Sequence, residues 1–276
     1  MEQLVPSQNR IIAAAIQMNC ELGRVEANLQ KAERLIGTAA SRGAQLAVLP
    51  ELFNTGYRVE KKDGELSESI PGPTAQWMAQ QAQKHNMHLV AAILEKGVSA
   101  GLVYDTAVVA GPNGILGTYR KTHLWDKENI RFTKGDQFPV IKTGVYNLGM
   151  QICYEVGFPE GARILTFKGA DIIVYPSAFG KARLYAWDIA TRSRALENGA
   201  FVIAANRTGV EKGETEFGGH SRIVDPTGTV LAEAAEEDDV IIAELNLSLI
   251  HEQRRTIPYL RDFNRSLISS EYNTER

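Results

Sequence analysis

The stretch Tyr146-Asn-Leu-Gly-Met-Gln-Ile-Cys-Tyr-Glu-Val-Gly-Phe-Pro159 contains the predicted transition from strand to loop to helix that is most informative about the fold. Apolar residues alternate with smaller or polar ones up to Ile152, a pattern typical of a β-strand that would end at Cys153. A helix is predicted directly afterwards, over 159–168. Ligands of α/β proteins usually bind at such strand ends. Cys153 is therefore a candidate functional residue, although an isolated cysteine is more often a small buried hydrophobe.

Strands and helices are predicted on both sides of this stretch, which indicates an α/β fold. The predicted strands are 11–18, 46–49, 88–94, 102–110, 115–121, 172–175, 201–205 and 240–245, and the predicted helices are 25–39, 74–86, 159–168 and 185–197. Residues 122–138 are polar and irregular, and such a long connection is often functional.

The sequence also repeats itself. Residues 42–53 match residues 168–179 at a constant offset of 126, with coinciding Gly, Ala, Val, Pro and Phe positions. Each copy ends a strand–helix–strand unit, so we expect two similar halves that face each other inside one domain. Chance similarity between two buried strands is the alternative reading.

No Gly/Ser-rich linker divides the halves, so the sequence predicts one domain over 1–276 with its core at about 11–246. The C-terminal tail, 247–276, differs in character. Four arginines alternate with apolar and aromatic residues between positions 254 and 265. Such a mixture more often docks on a surface than frays, and we expect the tail to lie at a subunit interface.

Bulk composition excludes several classes of protein. The chain has 276 residues, of which 44% are hydrophobic and 23% charged, as in a soluble globular protein. A net charge of −3 gives no general attraction to nucleic acid or to an anionic membrane, and no apolar run is long enough to span a bilayer. Two cysteines are too few for a disulfide framework, which suits a reducing, cytoplasmic location.

Three predicted strand ends carry chemically capable side chains: Glu51, Lys121 and Cys153. A thiolate can attack a carbonyl carbon covalently, and a nearby cation favours its formation. A carboxylate can take the thiol proton, pass it to a leaving amine and then activate water. A lysine at the carbonyl oxygen can stabilise the negative charge of a tetrahedral state. Together, the three side chains suit hydrolysis of a carbon–nitrogen bond.

With their flanking residues, these positions make the chain resemble the nitrilase superfamily of carbon–nitrogen hydrolases. The matching pieces are Leu49-Pro50-Glu51 followed by Gly56-Tyr57, Tyr119-Arg120-Lys121-Thr122-His123-Leu124, Ile152-Cys153-Tyr154-Glu155, Phe158-Pro159-Glu160, Tyr175-Pro176-Ser177-Ala178, Ala205-Asn206-Arg207 and Gly219-His220-Ser221. They cover about 11–246 in the family's order. The resemblance implies a four-layer α-β-β-α sandwich that forms a homodimer or higher homo-oligomer, usually through one helical layer.

The same resemblance implies a role for each site residue. Cys153 would be the nucleophile, Glu51 the general base and acid, and Lys121 the cation that stabilises the oxyanion. The backbone N–H of Tyr154 would be the second oxyanion donor. Glu128, in the loop after the lysine, would hold Lys121 and the substrate nitrogen in place. A solvated loop charge is the alternative reading of Glu128.

One residue departs from the family pattern: Glu155 stands where many members have aspartate, and we expect it to support the loop. Cys20 matches no catalytic position, so we interpret it as structural. Five histidines show no zinc-binding spacing, and no phosphate-binding loop is present, so neither a metal nor a cofactor is expected.

Clues to the substrate are fewer. The residues expected near the mouth of the site are Tyr57, Trp125, Phe179, Trp187 and Asn206. Arg131 is a candidate partner for a substrate carboxylate, and a plain surface arginine is the alternative reading.

The sequence thus predicts an amidohydrolase that cleaves a small aliphatic amide to a carboxylic acid and ammonia through a thioester. Three alternatives remain within reach of the same residues: hydrolysis of an N-carbamoyl amine, hydrolysis of a nitrile, and a catalytically silent binding module. A redox role for Cys153 is less suited to the sequence, because no Cys-x-x-Cys is present to resolve an oxidised thiol.

Overall fold

The computed structural model describes residues 9–272. The strands are β1 (Arg10–Asn19), β2 (Leu46–Glu51), β3 (His88–Lys96), β4 (Val103–Gly111), β5 (Gly114–Arg120), β6 (Val140–Lys142), β7 (Asn147–Met150), β8 (Ile172–Ser177), β9 (Phe201–Thr208), β10 (Val210–Glu211), β11 (Thr215–Glu216), β12 (Arg222–Val224), β13 (Val230–Glu233) and β14 (Asp239–Asn246). The helices are α1 (Val25–Ser41), α2 (Asp63–Leu66), α3 (Pro73–His85), α4 (Glu128–Arg131), α5 (Pro159–Phe167), α6 (Leu184–Asn198), α7 (Ser248–Thr256), α8 (Tyr259–Asp262) and α9 (Arg265–Tyr272).

The strands form two half-sheets joined at one narrow point. The first half has the order β14-β1-β2-β3-β4-β5, and the second has the order β6-β7-β8-β9-β12-β13. They meet where the last two residues of β1, Met18 and Asn19, pair with Arg207 and Thr208 of β9. The strands β1, β2 and β3 are parallel, as are β7, β8 and β9, so each half directs its strand ends to one edge.

Side-chain alternation along the strands produces four layers. In β1, Ala13 and Ala15 belong to the core shared by the two half-sheets, whereas Ala14 and Ile16 pack in the core beneath α1 and α3. Every one of these side chains is fully buried, because a strand covered on both faces sends successive side chains into different cores. On the other side, α5 packs on β7 and α6 packs on β9. The α-β-β-α sandwich implied by the resemblance is therefore confirmed.

The repeated stretches form equivalent strands of the two halves. All residues of β2 and β8 are buried, and Val48 and Val174 lie in the same core between the sheets. The two strands end at Glu51 and Ser177, so these two equivalent residues lie at the same edge of the sandwich.

Several predicted bounds need correction. The strand that leads to Cys153 stops at Met150, and a 3₁₀ turn occupies Cys153–Gly157. The loop 122–138 contains the short helix α4. The tail forms α7, α8 and α9; its place at a subunit interface stays a prediction, and positions 273–276 lie outside the described residues. Within residues 9–272, no helix has the length and apolar character needed to cross a membrane.

Candidate active site

Cys153 lies on a strained turn at the edge of the sandwich. Its φ angle is +49°, in the left-handed region that non-glycine residues rarely adopt. Such a conformation costs about 1–3 kcal/mol and persists only where the surrounding structure holds it. Its side chain is buried except for a small face that reaches a cavity at this edge. The turn thus presents a single thiol face to that cavity.

Glu155 holds this turn against the segment that follows β5. One carboxylate oxygen accepts the backbone N–H of Ile152 at 2.8 Å. The other accepts the Tyr119 hydroxyl at 2.7 Å, the Thr122 backbone N–H at 2.9 Å and the His123 backbone N–H at 3.0 Å. The side chain is completely buried, so all of its acceptor capacity serves the protein. Glu155 therefore supports the loop, in agreement with the prediction from the sequence.

Lys121 joins the cysteine turn in the interior, directly after β5. Its Nζ donates to Glu51 Oε1 at 2.6 Å and to Glu128 at 2.9 Å. None of the three side chains is more than 1% exposed. Charge-assisted contacts of this length in a dry environment fix the ammonium group in one position.

The second oxygen of each glutamate is also occupied. Glu51 Oε2 accepts the backbone N–H of Ala178 at 2.8 Å. Glu128 accepts the Tyr57 hydroxyl at 2.6 Å and the Trp125 backbone N–H at 2.8 Å. Glu128 is thus an integral part of the buried cluster, and the alternative reading of a solvated loop charge does not apply.

A fourth charged residue, Asp105 in β4, completes the cluster and was missed from the sequence. Its Oδ2 lies 3.6 Å from Lys121 Nζ, and its side chain is fully buried. Its backbone carbonyl accepts the Lys121 N–H at 2.9 Å, so both side chains leave the same strand pair side by side. The sequence contained one signal for a role of Asp105: it is the single acidic residue in the mostly apolar run 103–111, where burial of an unpaired charge is costly.

Burial and charge together set the protonation of the cluster. Burial raises the pKa of the Cys153 thiol well above its usual range, and the charge of Glu51 raises it further. Burial alone would raise the pKa of Glu51, but the ammonium of Lys121 and the hydrogen bonds to Glu51 together outweigh it, so this pKa is lowered. For Lys121, burial is outweighed by Glu128 and Glu51, and its pKa is raised well above normal. The resting site therefore holds a protonated thiol beside an ionised glutamate and a charged lysine.

The three carboxylates are also the one group within residues 9–272 whose oxygens lie close enough together to hold a metal ion. Lys121 Nζ lies within 3.6 Å of an oxygen of each. The ammonium thus occupies the space between them and supplies the positive charge that a metal would bring.

The cavity beside Cys153 has a volume of about 740 Å³, within the range of small-molecule sites. Three predicted substrate-binding residues, Tyr57, Trp125 and Phe179, line it. Tyr154, the residue after the nucleophile, lines it as well, and its ring packs on Trp125 with centroids 4.8 Å apart. The first N–H groups of a helical turn have no partner within that turn, which suits the Tyr154 amide as an oxyanion donor.

Two of the predicted substrate contacts lie behind the cavity wall. Trp187 is fully buried, and its indole N–H donates to the carbonyl of His220 at 2.8 Å. Asn206 is also fully buried, and its side-chain oxygen accepts the backbone N–H of Phe179 at 2.7 Å. Trp187 lies near the start of α6 and Asn206 near the end of β9, but both side chains point into the protein, where they contact Phe179 instead of meeting a substrate.

Arg131 lines the cavity, but its guanidinium group is already engaged. Its Nε and Nη2 contact the two oxygens of Asp63 at 2.8 and 2.7 Å, and Nη2 also donates to the carbonyl of Tyr57 at 2.8 Å. This buried, two-pronged ion pair leaves no free face for a substrate carboxylate. The expected role of Arg131 is therefore corrected to support of the Tyr57 loop.

Another arginine of the cavity wall, Arg183, is not paired with a carboxylate of the described residues as Arg131 is. It lies in the 3₁₀ turn Lys181–Arg183 and lines the cavity. Its guanidinium carbon lies 4.7 Å from the ring centre of Trp125 and 5.9 Å from that of Phe179. Within the described residues it has no carboxylate within ion-pair distance, whereas Arg58, Arg131 and Lys181 on the same wall are paired. Sequence reasoning missed Arg183 because nothing in its local pattern distinguishes it from a surface arginine.

Comparison with known proteins now bears on this geometry. The sequence model of a family described as "Carbon-nitrogen hydrolase" matches residues 12–255. The chain belongs to that family. This hydrolase is 40% identical to a nitrilase of Pyrococcus abyssi over 246 residues, covering 87% of the chain and 92% of the relative. It is 37% identical to omega-amidase NIT2 of Xenopus tropicalis over 255 residues, covering 88% and 92%.

Solved structures agree with the fold. A carbon-nitrogen hydrolase from Helicobacter pylori superposes with a TM-score of 0.90 at 32% identity, over 97% of this chain and all of that one. The chain is thus a nitrilase-superfamily hydrolase of carbon–nitrogen bonds, of the amidase type. The individual roles of Glu51, Lys121, Glu128 and Cys153 stay predictions, supported by their meeting in one buried cluster at the cavity.

Proposed function

We propose that this hydrolase cleaves a small aliphatic amide to a carboxylic acid and ammonia through a cysteine thioester. One observation carries the proposal. Lys121, the one lysine of the buried cluster within the described residues, donates to two glutamates beside the strained turn of Cys153. This arrangement would hold a nucleophile, a base and an oxyanion-stabilising cation together beside the cavity that Cys153 lines.

The reaction begins with transfer of the Cys153 proton to Glu51. The thiolate then attacks the amide carbon, and the carbonyl electrons move to the oxygen, where Lys121 and the Tyr154 N–H stabilise the charge. Collapse of this intermediate expels the amine, which leaves as ammonia with the proton that Glu51 returns. Glu128 keeps Lys121 in position throughout.

Hydrolysis of the thioester reuses the same groups. Glu51 takes a proton from water, the hydroxide attacks the acyl carbon, and the same oxyanion donors stabilise the second tetrahedral state. Collapse releases the carboxylic acid, and the proton on Glu51 returns to the Cys153 sulfur. Each proton that Glu51 accepts is passed on, so the enzyme ends in its starting state.

Among the described cations that line the cavity, Arg183 and the exposed Lys127 have no ion-pair partner, and the position of Arg183 bears on the class of amide that binds. Arg183 is stacked on aromatic rings and unpaired, which suits recognition of a planar anion. We therefore expect the acyl part of the amide to carry a carboxylate that reaches this arginine. The cavity volume accommodates a short aliphatic chain between the two groups.

The direct test measures ammonia release from neutral aliphatic amides, carboxylate-bearing amides, N-carbamoyl amines and nitriles. We expect turnover of an amide and none by Cys153→Ala. The matched control is Cys20→Ala, because Cys20 is also buried and unpaired but does not line the cavity. Carbon dioxide released with the ammonia would instead indicate an N-carbamoyl substrate, and turnover of a nitrile alone a nitrilase. Equal rates in Cys153→Ala and the unmodified enzyme would overturn the mechanism.

A further inference from the structure

The buried cluster contains more negative charge than its lysine can balance. Glu51, Asp105 and Glu128 surround the single ammonium of Lys121, and all four side chains are almost completely inaccessible to water. If all three carboxylates were ionised, two uncompensated negative charges would remain in a dry site. Carboxylates that share such a site do not all ionise, because like charges at short range raise the affinity of one of them for a proton.

Hydrogen-bond donors show which carboxylate is left unsatisfied. Glu51 receives donors on both oxygens, from Lys121 and from the Ala178 backbone. Glu128 receives Lys121, the Tyr57 hydroxyl and a backbone N–H. Both oxygens of Asp105, by contrast, are buried without a hydrogen-bond partner. An ionised aspartate with no donor would be the costliest charge of the three.

A proton on Asp105 leaves one uncompensated negative charge instead of two and gives this carboxyl a hydrogen bond to donate. Single oxygens of Asp105, Glu51 and Glu128 all lie within 4.8 Å of one another. Two ionised carboxylates offer only acceptors to each other, whereas a protonated one is a donor to its neighbour. The neutral acid therefore removes one charge and supplies one hydrogen bond.

We propose that Asp105 is protonated and donates a hydrogen bond to the carboxylate of Glu51, as a positioning residue for the base. The backbone contact between Asp105 and Lys121 fixes the two strands from which these side chains project. Glu51 then has three donors around its two oxygens, which orient it toward Cys153 before a substrate binds. Burial and the charge of Glu51 raise the pKa of Asp105 well above its usual value, in keeping with this assignment.

The hydrogen bond has a directional effect on the base. It stabilises the ionised form of Glu51 more than the neutral form, so it lowers the pKa of Glu51 and keeps the base available at lower pH. The charged groups that face Asp105 are Glu51 from β2, Lys121 after β5 and Glu128 from α4. Tyr57 and Cys153 belong to the same cluster through their interactions with Glu128 and Glu51.

Infrared spectroscopy tests the proton itself without any substrate. The C=O stretch of a protonated carboxyl is well separated from the stretches of ionised carboxylates, and selective ¹³C labelling of aspartate side chains distinguishes Asp105 from the nearby glutamates. We expect a labelled protonated-carboxyl band at neutral pH that disappears in Asp105→Asn. Asp63→Asn, which removes a buried aspartate held by Arg131, should leave the band in place. Absence of the band from the unmodified enzyme would overturn the proposal.

Kinetics test the positioning role, which rests on the proposed amidase reaction. Asparagine can replace the neutral acid as donor, so Asp105→Asn should keep kcat/KM within about threefold of the unmodified enzyme. Asp105→Leu has similar size but no donor, and we expect a loss of about 10- to 100-fold. Its acid limb of kcat/KM, which reports the base of the free enzyme, should move to higher pH, whereas that of Asp105→Asn should not.

The outcomes separate this inference from the proposed function. A folded Asp105→Asn enzyme that loses more than about 100-fold would show that the ionised carboxylate is needed, contrary to the proposal. An unchanged acid limb in a folded Asp105→Leu enzyme would equally contradict it. If no amide is turned over, the proposed function fails, but the infrared band still decides whether Asp105 holds a proton.

Discussion

The two copies of the repeated stretch, residues 42–53 and 168–179, build the same strand in opposite half-sheets but end in different chemistry. Both β2 and β8 are buried along their whole length and are flanked by parallel strands on both sides. The strand of the first copy ends in Glu51 and the strand of the second in Ser177. A carboxylate in one half thus corresponds to a hydroxyl in the other.

The environments of these two residues explain the difference. Glu51 contacts Lys121 and also accepts the backbone N–H of Ala178, which directly follows Ser177 in the second copy. The Ser177 hydroxyl donates only to the carbonyl of Tyr175, within its own strand. The repeated architecture therefore supplies two equivalent strand ends, of which one carries the charge and the other presents a backbone donor to it.

The largest difference between the two copies is expected when the charge is removed from one strand end and the hydroxyl from the other. Glu51→Gln should lower kcat/KM by about 10²- to 10⁴-fold, because the amide cannot take the Cys153 proton. Ser177→Ala should remain within about threefold, since it loses only one local hydrogen bond. Steady-state kinetics on the same amide, with circular dichroism to check folding, measures both.

Either of two results would contradict the proposed difference between Glu51 and Ser177. A Glu51→Gln enzyme with nearly full activity would remove Glu51 from the proton transfers. A folded Ser177→Ala enzyme as impaired as Glu51→Gln would show that both copies contribute to the chemistry.

The repeat also shows how much could be predicted from the sequence. Motifs around Glu51, Lys121 and Cys153 predicted three strand ends at one edge, and the structure places all three side chains in one cluster. Strand ends are predictable because a parallel sheet directs them to a common edge. The helices predicted at 159–168 and 185–197 agree with α5 and α6 to within one residue at each end.

What could not be predicted depends on the direction and partner of each side chain. Asp105 lies inside a strand read as apolar core, and only the tertiary structure reveals its neighbours. Trp187 and Asn206 were expected near the mouth of the site, but their side chains point inward. The local sequences of Arg131 and Arg183 do not show which arginine is paired, and only the contact with Asp63 shows that Arg131 is occupied.

A smaller effect is expected from Glu155, a buried glutamate that positions loops without reacting. Glu155→Gln places an amide N–H₂ among backbone and hydroxyl donors, which should lower the free energy of unfolding by about 1–3 kcal/mol. Glu252→Gln, on the exposed face of α7, is the matched control and should change little. Urea denaturation measures both. Equal stability of the two variants would show that the contacts of Glu155 add nothing to the site's framework.

The smallest effect should come from the segment that follows the second copy. After the first copy, Tyr57 turns inward to Glu128, whereas after the second copy Arg183 faces the cavity over Trp125. Because Arg183 is partly exposed, its ion pair with a substrate carboxylate is worth little, and Arg183→Gln should raise KM by about three- to tenfold.

That increase should be confined to carboxylate-bearing amides and leave kcat unchanged, because Arg183 acts far from the bond that breaks. Lys181→Gln is the matched control on the same turn: its ammonium is already paired with Glu216 and Glu236, so its loss should not discriminate between charged and neutral amides. If Arg183→Gln affects neutral and carboxylate-bearing amides equally, the arginine shapes the cavity wall and does not bind the substrate carboxylate. The chemical difference between the two copies would then rest on Glu51 and Ser177, and not on how their following segments meet the substrate.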